Sequence, residues 1–274
     1  MPVKPRRQAS HSTLDRTTLL GVPAAVGLVL LGQWLEGGNV GSILQLTAAL
    51  IVFGGTAGAV LVSFPVAEIQ AAFKALRDVV RDNPESAEKA VDEIVRLATR
   101  ARRQGLMTLE NELDQAHPFV RKFLAHAVDG AKPQVLRDMM ELEILQREEQ
   151  DESPARVFEA AGGYLPTLGI LGAVLGLIQT MQHLTEPDKI GGGIAVAFVA
   201  TVYGVGAANL FVLPIASKLR VKARRSATQR ELMMEGILAI QEGLNPKLID
   251  EKLRAFVAAP EVAPARGPAR RRAA

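Results

Sequence analysis

Apolar positions along this chain fall into four long blocks, and charged residues gather in the stretches between them. The last two blocks, 164–181 and 190–216, are separated only by the polar turn 183–189, His-Leu-Thr-Glu-Pro-Asp-Lys. A helix that crosses a bilayer needs roughly 20 predominantly apolar residues, so this pair reads as a membrane-spanning hairpin. Blocks 19–35 and 44–64 read the same way, although Gly32 and Gln33 weaken the far end of the first. Lys4, Arg6 and Arg7 precede the first block as they would a signal peptide. No clear small-residue cleavage site follows and a second span comes soon after, so the block is read as retained.

Between the second and third blocks, 65–157 shows helical periodicity. Ile69, Phe73, Leu76, Val79 and Val80 recur at helical spacing within 66–81. Asn83-Pro84-Glu85-Ser86 predicts a turn, with Ser86 placed to cap a helix over 87–103. Gly105 breaks that helix. A short helix around 107–115, another at 118–129 and a long charged one at about 133–157 follow, with Pro133 and Pro154 read as helix ends.

Charge sets the orientation. Of 32 Lys and Arg residues, four precede the first block, 14 lie in 65–157 and 13 follow the fourth block. Lys189 alone falls in the short connections 36–43 and 183–189. Those connections therefore face the non-cytoplasmic side, and both termini and 65–157 face the cytoplasm. The predicted fold class is an all-α membrane protein of four transmembrane helices with a large helical cytoplasmic segment, forming a ring-like oligomer. The expected organisation is a basic arm (1–17), spans 1 and 2 (18–64), a cytoplasmic segment (65–157), spans 3 and 4 (158–218), C-terminal cytoplasmic helices (219–257) and a disordered Ala/Pro/Arg tail (258–274).

Composition removes several functions. There is no cysteine, so disulfides, thiolate catalysis and Cys-based metal sites are excluded. The four His residues, 11, 117, 126 and 183, lack ligand spacing, and neither a Ser/His/Asp set nor a phosphate loop is visible. No cofactor, metal or nucleic acid is expected, and an enzyme is the weakest class.

The spans carry packing signals in place of ionisable ones. Gly169, Gly172 and Gly176 recur at three- and four-residue spacing, and Gly54 and Gly58 repeat the device in the second span. Small residues so spaced let helix backbones approach where lipid supplies no hydrophobic drive. Pro166 opens the third span, as a first-turn proline or as a kink, and Pro214 lies near the end of the fourth. Thr167 and Thr201 either bond their own helix carbonyls or line a pore. No Asp, Glu, Lys, Arg or His occurs from Tyr164 to Gln182, or from Ile190 to Ser217. Proton paths normally mark themselves with an intramembrane carboxylate or histidine. If these helices conduct protons, a partner chain supplies the titrating group. The turn Arg102-Arg103-Gln-Gly-Leu-Met-Thr-Leu-Glu110 is either a solvated helix end closed by a salt bridge or a docking surface for a soluble partner.

The runs 164–177 (Tyr-Leu-Pro-Thr-Leu-Gly-Ile-Leu-Gly-Ala-Val-Leu-Gly-Leu) and 195–209 (Ala-Val-Ala-Phe-Val-Ala-Thr-Val-Tyr-Gly-Val-Gly-Ala-Ala-Asn) resemble the MotA family of flagellar stator subunits. The segments 213–219, 236–246, 50–55 and 102–110 extend the likeness, which covers about 18–257. The resemblance implies a ring of five subunits around two copies of a MotB-like single-span protein. That partner's membrane aspartate binds the ion, and ion flow turns the ring against a FliG-like rotor protein at the bacterial inner membrane. By position, Arg102 and Glu110 match the family's rotor-facing charges, with Arg103 beside them. Pro166 and Pro214 match its functional prolines, and Thr201 its channel threonine. Sodium-type relatives such as PomA carry Thr where this chain has Ala173 and Ala200. Two missing hydroxyls remove ligands that sodium needs in place of its water, and so imply proton coupling. The rivals are a TolQ- or ExbB-like energiser, which usually has three spans and an outside N-terminus, and a non-conducting membrane scaffold.

Overall fold

The computed structural model describes residues 13–14, 16–38, 40–82 and 87–258. The arm before 13, the 83–86 turn with its Ser86 cap, and the tail from 259 lie outside the described residues. Helices dominate the chain. The described strand pairing is a two-residue antiparallel contact of Thr13–Leu14 with Arg81–Asp82.

The helices are α1 (Arg16–Leu35), α2 (Leu46–Ser63), α3 (Val66–Val80), α4 (Ala87–Gln104), α5 (Pro118–Val128), α6 (Pro133–Gln182), α7 (Pro187–Ala207), α8 (Leu213–Gln241) and α9 (Pro246–Ala258). A π-type turn lies inside α2 at Leu50–Gly54, and another, Ala208–Val212, joins α7 to α8 without a break. Three helical stretches are long and apolar enough to cross a membrane: α2, α6 and the continuous rod from Ile190 to Gln241. The apolar part of α1, Leu20–Leu35, is shorter.

These elements form two compact units. One comprises the described residues up to 82 together with 148–224, and the other 87–147 with 225–258. In the first, small and branched side chains make three limited cores. Ala48 and Val52 of α2 meet Leu165, Val199 and Ala200. Ala75 and Val79 of α3 meet Ala155 and Leu219. Val60 and Ala72 meet Val157. The buried face of α3 is thus Ala72, Ala75 and Val79, while Phe73 is 66% exposed. The apolar period in 66–81 is present, but alanines occupy its inner face because they allow the closest approach to α6.

The second unit has one larger core. Val91, Ile94 and Leu97 of α4, Phe123 and Leu124 of α5, Leu136 and Met140 of α6, Leu232 and Ile237 of α8, and Ile249 and Leu253 of α9 are nearly inaccessible to water. Ion pairs rim it. Glu235 holds both Arg137 and Lys252. Burial pushes the Glu235 carboxyl up, but hydrogen bonds and charge from Lys252 and Arg137 outweigh it and hold the group below its usual range.

Two boundaries differ from the sequence reading. The long charged helix does not stop at Pro154. It continues through Pro154 and Pro166 to Gln182 as one helix of 50 residues, about 75 Å long at 1.5 Å per residue. An internal proline costs one backbone hydrogen bond and crowds the preceding turn. Here Ala155 and Val157 are buried just beyond Pro154, and that packing holds the helix through the gap. Residues 106–115 form a 3-10 segment (Leu106–Gln115) rather than an α-helix, with Leu109 and Leu113 buried against the core. Gly105, which separates it from α4, sits at φ 87° and ψ 157°, a region essentially reserved for glycine. That backbone turns the chain sharply and carries 106–115 back along α4.

Candidate functional site

Two places gather the residues the sequence singles out. The first is the contact between α6 and α7, which meet glycine to glycine. A Cβ built on Gly204 would lie 2.5 Å from the Leu165 carbonyl oxygen and 3.0 Å from the Gly169 Cα. One on Gly169 would lie 2.9 Å from the Ala200 carbonyl oxygen, and one on Gly172 would lie 2.7 Å from the Ala200 Cβ. Further along, Gly176 faces the Gly193 carbonyl at 2.7 Å and Ala197 at 2.8 Å by the same construction. The seam is therefore backbone against backbone along several turns, the arrangement small residues permit in lipid. Gly169, Gly172 and Gly176 supply one side of it. Gly193 and Gly204 supply the other, and sequence reasoning passed over them. Their 11-residue spacing, three helical turns, was the available signal.

In α2 the glycines behave differently. Gly54 and Gly58 are exposed, and a Cβ on either would meet nothing within 4 Å. Gly55 is the one that packs inside the chain, against Leu168.

The four ion-pathway candidates divide. Ala200 is fully buried in the seam, and Ala173 is half-buried. Thr201 is half-buried and donates to the Ala197 carbonyl at 3.2 Å. Thr167 is exposed and donates to the Tyr164 carbonyl at 2.8 Å. Each hydroxyl is thus held by its own helix, and its remaining lone pairs are open to water or another chain.

The two prolines lie at neighbouring levels of the hairpin. Pro166 is internal to α6, so it is not a first-turn residue, and its ring leaves the Gly162 carbonyl without an i+4 donor. Gly162 is the residue on which Leu213 packs, and Leu213 immediately precedes Pro214. The π turn just before Pro214 has a physical reason. A proline at 214 cannot bond the Leu210 carbonyl and crowds it. The backbone widens instead, with the Leu213 N–H donating five residues back to Ala208.

Tyr203, two residues beyond Thr201, makes a clasp that sequence reasoning did not foresee. Its phenol donates to the Ile43 carbonyl at 2.6 Å and accepts from the Gln45 N–H at 3.2 Å. Its ring lies 5.7 Å from that of Phe53. These bonds satisfy main-chain groups of the 40–45 connection that lipid could not.

The second place is the charged turn between α4 and the 3-10 segment. Arg102, Arg103 and Glu110 are all exposed, and none of them makes an ion pair among the described residues. The salt bridge that ties the helix end to the 3-10 segment exists, but it joins Arg100 to Glu112. With structural pairing assigned to that bridge, the charges at 102, 103 and 110 remain available to another molecule. Replacing Arg102 or Glu110 by Ala is accordingly expected to leave the yield and thermal stability of the purified protein unchanged. A fall in either would assign these charges a structural role.

Comparison with known proteins covers nearly the whole chain. Residues 19–105 match the motility protein A N-terminal family, and 110–232 match the MotA/TolQ/ExbB proton channel family. Motility protein A of Bacillus subtilis (strain 168) is 35% identical over 248 residues, spanning 90% of this chain and 92% of the relative. The structure of C. jejuni MotAB superimposes with a TM-score of 0.84 at 30% identity, covering 92% of this chain and 98% of that one. The structure of the flagellar MotAB stator complex from Bacillus subtilis gives 0.82 at 34% identity, covering 89% and 97%. From α1 to α8 the chain therefore belongs to the motility protein A branch of the MotA/TolQ/ExbB proton channel family.

Proposed function

We infer that this chain is a stator subunit of the flagellar motor. With a MotB-like partner it forms an ion channel and converts ion-motive force into torque on the rotor. The observation that carries this reading is a tightly seamed helix pair with no Asp, Glu, Lys, Arg or His from Tyr164 to Gln182 or from Ile190 to Ser217. Such a wall serves an ion path only if a second chain brings the carboxylate, which is the division of labour in a MotAB complex. The match of 19–105 to the motility protein A N-terminal family favours this reading over a TolQ- or ExbB-like energiser.

Within it, four helices cross the inner membrane, α1 included, with both termini and 65–157 on the cytoplasmic side, in keeping with the Lys/Arg asymmetry. Five copies surround two copies of the single-span partner, whose membrane aspartate takes up the ion. Thr201 and Thr167 present hydroxyls along the path, beside Ala173 and Ala200. Pro166 and Pro214 hold the helix geometry that changes when the ion binds. Arg102, Arg103 and Glu110 engage a FliG-like rotor protein. The subunit does no covalent chemistry and needs no cofactor.

The transported ion is the proton. Sodium must trade its hydration shell for several fixed oxygens, and alanine at 173 and 200 offers none. The test is to express the chain with its partner in a motile bacterium stripped of its own stators. Swimming is expected to return and to persist when sodium is replaced by potassium, and to stop when a protonophore collapses the proton gradient. A strict sodium requirement would overturn the proton assignment, and failure to swim under any condition would overturn the stator reading.

A further inference from the structure

We propose that Glu159 and Arg220 form a latch that sets the rotation of α8 against α6 just beyond the widened turn, and that torque depends on this setting. The proposal rests on the stator reading above and gives a positioning role to two residues that reading leaves unused. Glu159 lies on α6 as the last charged residue before the uncharged stretch, and Arg220 lies on α8 six residues after Pro214. The Arg220 Nη2 donates to the Glu159 Oε2, joining side chains 61 positions apart. Contacts along the two rods run in opposite order: Gly176 with Ala197, Gly169 with Gly204, Gly162 with Leu213, then Glu159 with Arg220. The rods are therefore antiparallel here. Helical side chains lean toward the N-terminus of their own helix. Arg220 thus leans back toward the widened turn and Glu159 leans away from it, which brings the two charges to one level. Arg156, a turn before Glu159, pairs with Glu149 on its own helix, so it does not compete for the latch.

The pair sits where direction is otherwise weakly specified. Beside it, Ala155 of α6 and Leu219 of α8 are buried together with Ala75 and Val79 of α3. Apolar contact of this kind sets distance, but it is non-directional. A guanidinium and a carboxylate meet in an oriented, planar way, and charge pairs fix register more than they add affinity. The two side chains are 35% and 39% exposed, and a pair so exposed adds little to stability. The widened turn Ala208–Val212 lies between the latch and the glycine seam. The seam holds α7 against α6 on one side of the turn, and the latch holds α8 against α6 on the other. A change of winding at the turn is then carried into α6 instead of being lost as free rotation of α8.

The test uses the full chain with its partner in a motile bacterium stripped of its own stators. Rotation of tethered cells is measured per amount of complex in the membrane, and yield and thermal stability are measured on the purified complex. Glu159→Gln and Arg220→Gln are each expected to lower rotation per complex about fivefold, equivalent to ~1 kcal/mol, at unchanged yield and stability. Combining the two should cost no more than either alone, because both remove one interaction. Glu159→Arg, which sets two cations face to face, should lose more, and adding Arg220→Glu should restore most of the rotation. If Glu159→Arg fails to assemble, the two Gln variants and their combination decide the matter. Normal rotation in either Gln variant overturns the proposal, as do additive losses in their combination. A fall in yield or stability with rotation per complex intact overturns it too, since the pair would then only hold the fold. The stator reading is judged separately, by whether the unaltered chain restores swimming.

Discussion

Gly204→Val should abolish swimming and remove most of the assembled complex from the membrane. The seam leaves no room there: a Cβ at 204 already falls 2.5 Å from the Leu165 carbonyl oxygen and 3.0 Å from Gly169 Cα, and valine adds two methyl groups. The neighbours are backbone atoms, which cannot rotate away as a side chain end would. Overpacking of a tight core costs about 1–3 kcal/mol and sometimes more, and an oligomer repeats the cost in every copy. The matched control is Gly191→Val, at the entrance to α7, where a Cβ meets nothing within 4 Å. It should swim close to normally. Measured swimming and complex yield should therefore split these two glycines by position alone. Normal motility in Gly204→Val would mean that the α6–α7 contact is looser than described.

That contrast also shows what was legible before any coordinates. The Gly169, Gly172 and Gly176 ladder stands out because its period matches a helix face. The complementary Gly193 and Gly204 do not repeat at three or four residues; their 11-residue spacing is a fainter signal, and the partner helix is what identifies them as its other half. In α2 the GxxxG spacing points to Gly54 and Gly58, while the intramolecular contact falls on Gly55. Spacing identifies a face but not which neighbour covers it. Pro154 reads as a stop in the sequence because local backbone rules disfavour proline inside a helix. Packing of Ala155 and Val157 outweighs the local rule there, and that term involves α3 and is invisible locally. The Tyr203 clasp joins residues 160 positions apart, beyond any window of sequence reading. The charged turn is legible as a feature, but the division between a structural pair, Arg100–Glu112, and charges at 102, 103 and 110 that make no ion pair among the described residues needs the fold.

Pro214→Leu should leave the complex assembled and remove most of its torque. Leucine restores an N–H at 214, which can donate to the Leu210 carbonyl and close the widened Ala208–Val212 turn into ordinary α geometry. Closing that turn works to rotate α8 by about 100° relative to α7, against the packing that buries Ala216, Leu219, Leu232 and Ile237, so the strain is held at the turn and α8 keeps its neighbours. The hairpin seam lies before the turn and should survive, so the effect should appear in rotation and ion flux rather than in yield. Speed of tethered cells and proton uptake by vesicles carrying the complex would measure it. Unimpaired rotation would show that the widened turn has no part in coupling.

The glycine seam has one more consequence, for the tolerance of this chain to mutation. With backbone against backbone inside, the bulk of both helices projects outward: Ile170, Leu171, Val174, Leu175 and Ile178 on α6, and Phe198, Val202 and Val205 on α7 are all exposed in the single chain. The hairpin is a laminate with two outer skins and no filling. Drift at the seam is confined to exchanges among the smallest residues, whereas the skins accept any apolar side chain that suits lipid or a neighbouring subunit. Subunits of this kind can therefore re-tailor whom they touch, across generations, without disturbing how they hold themselves together.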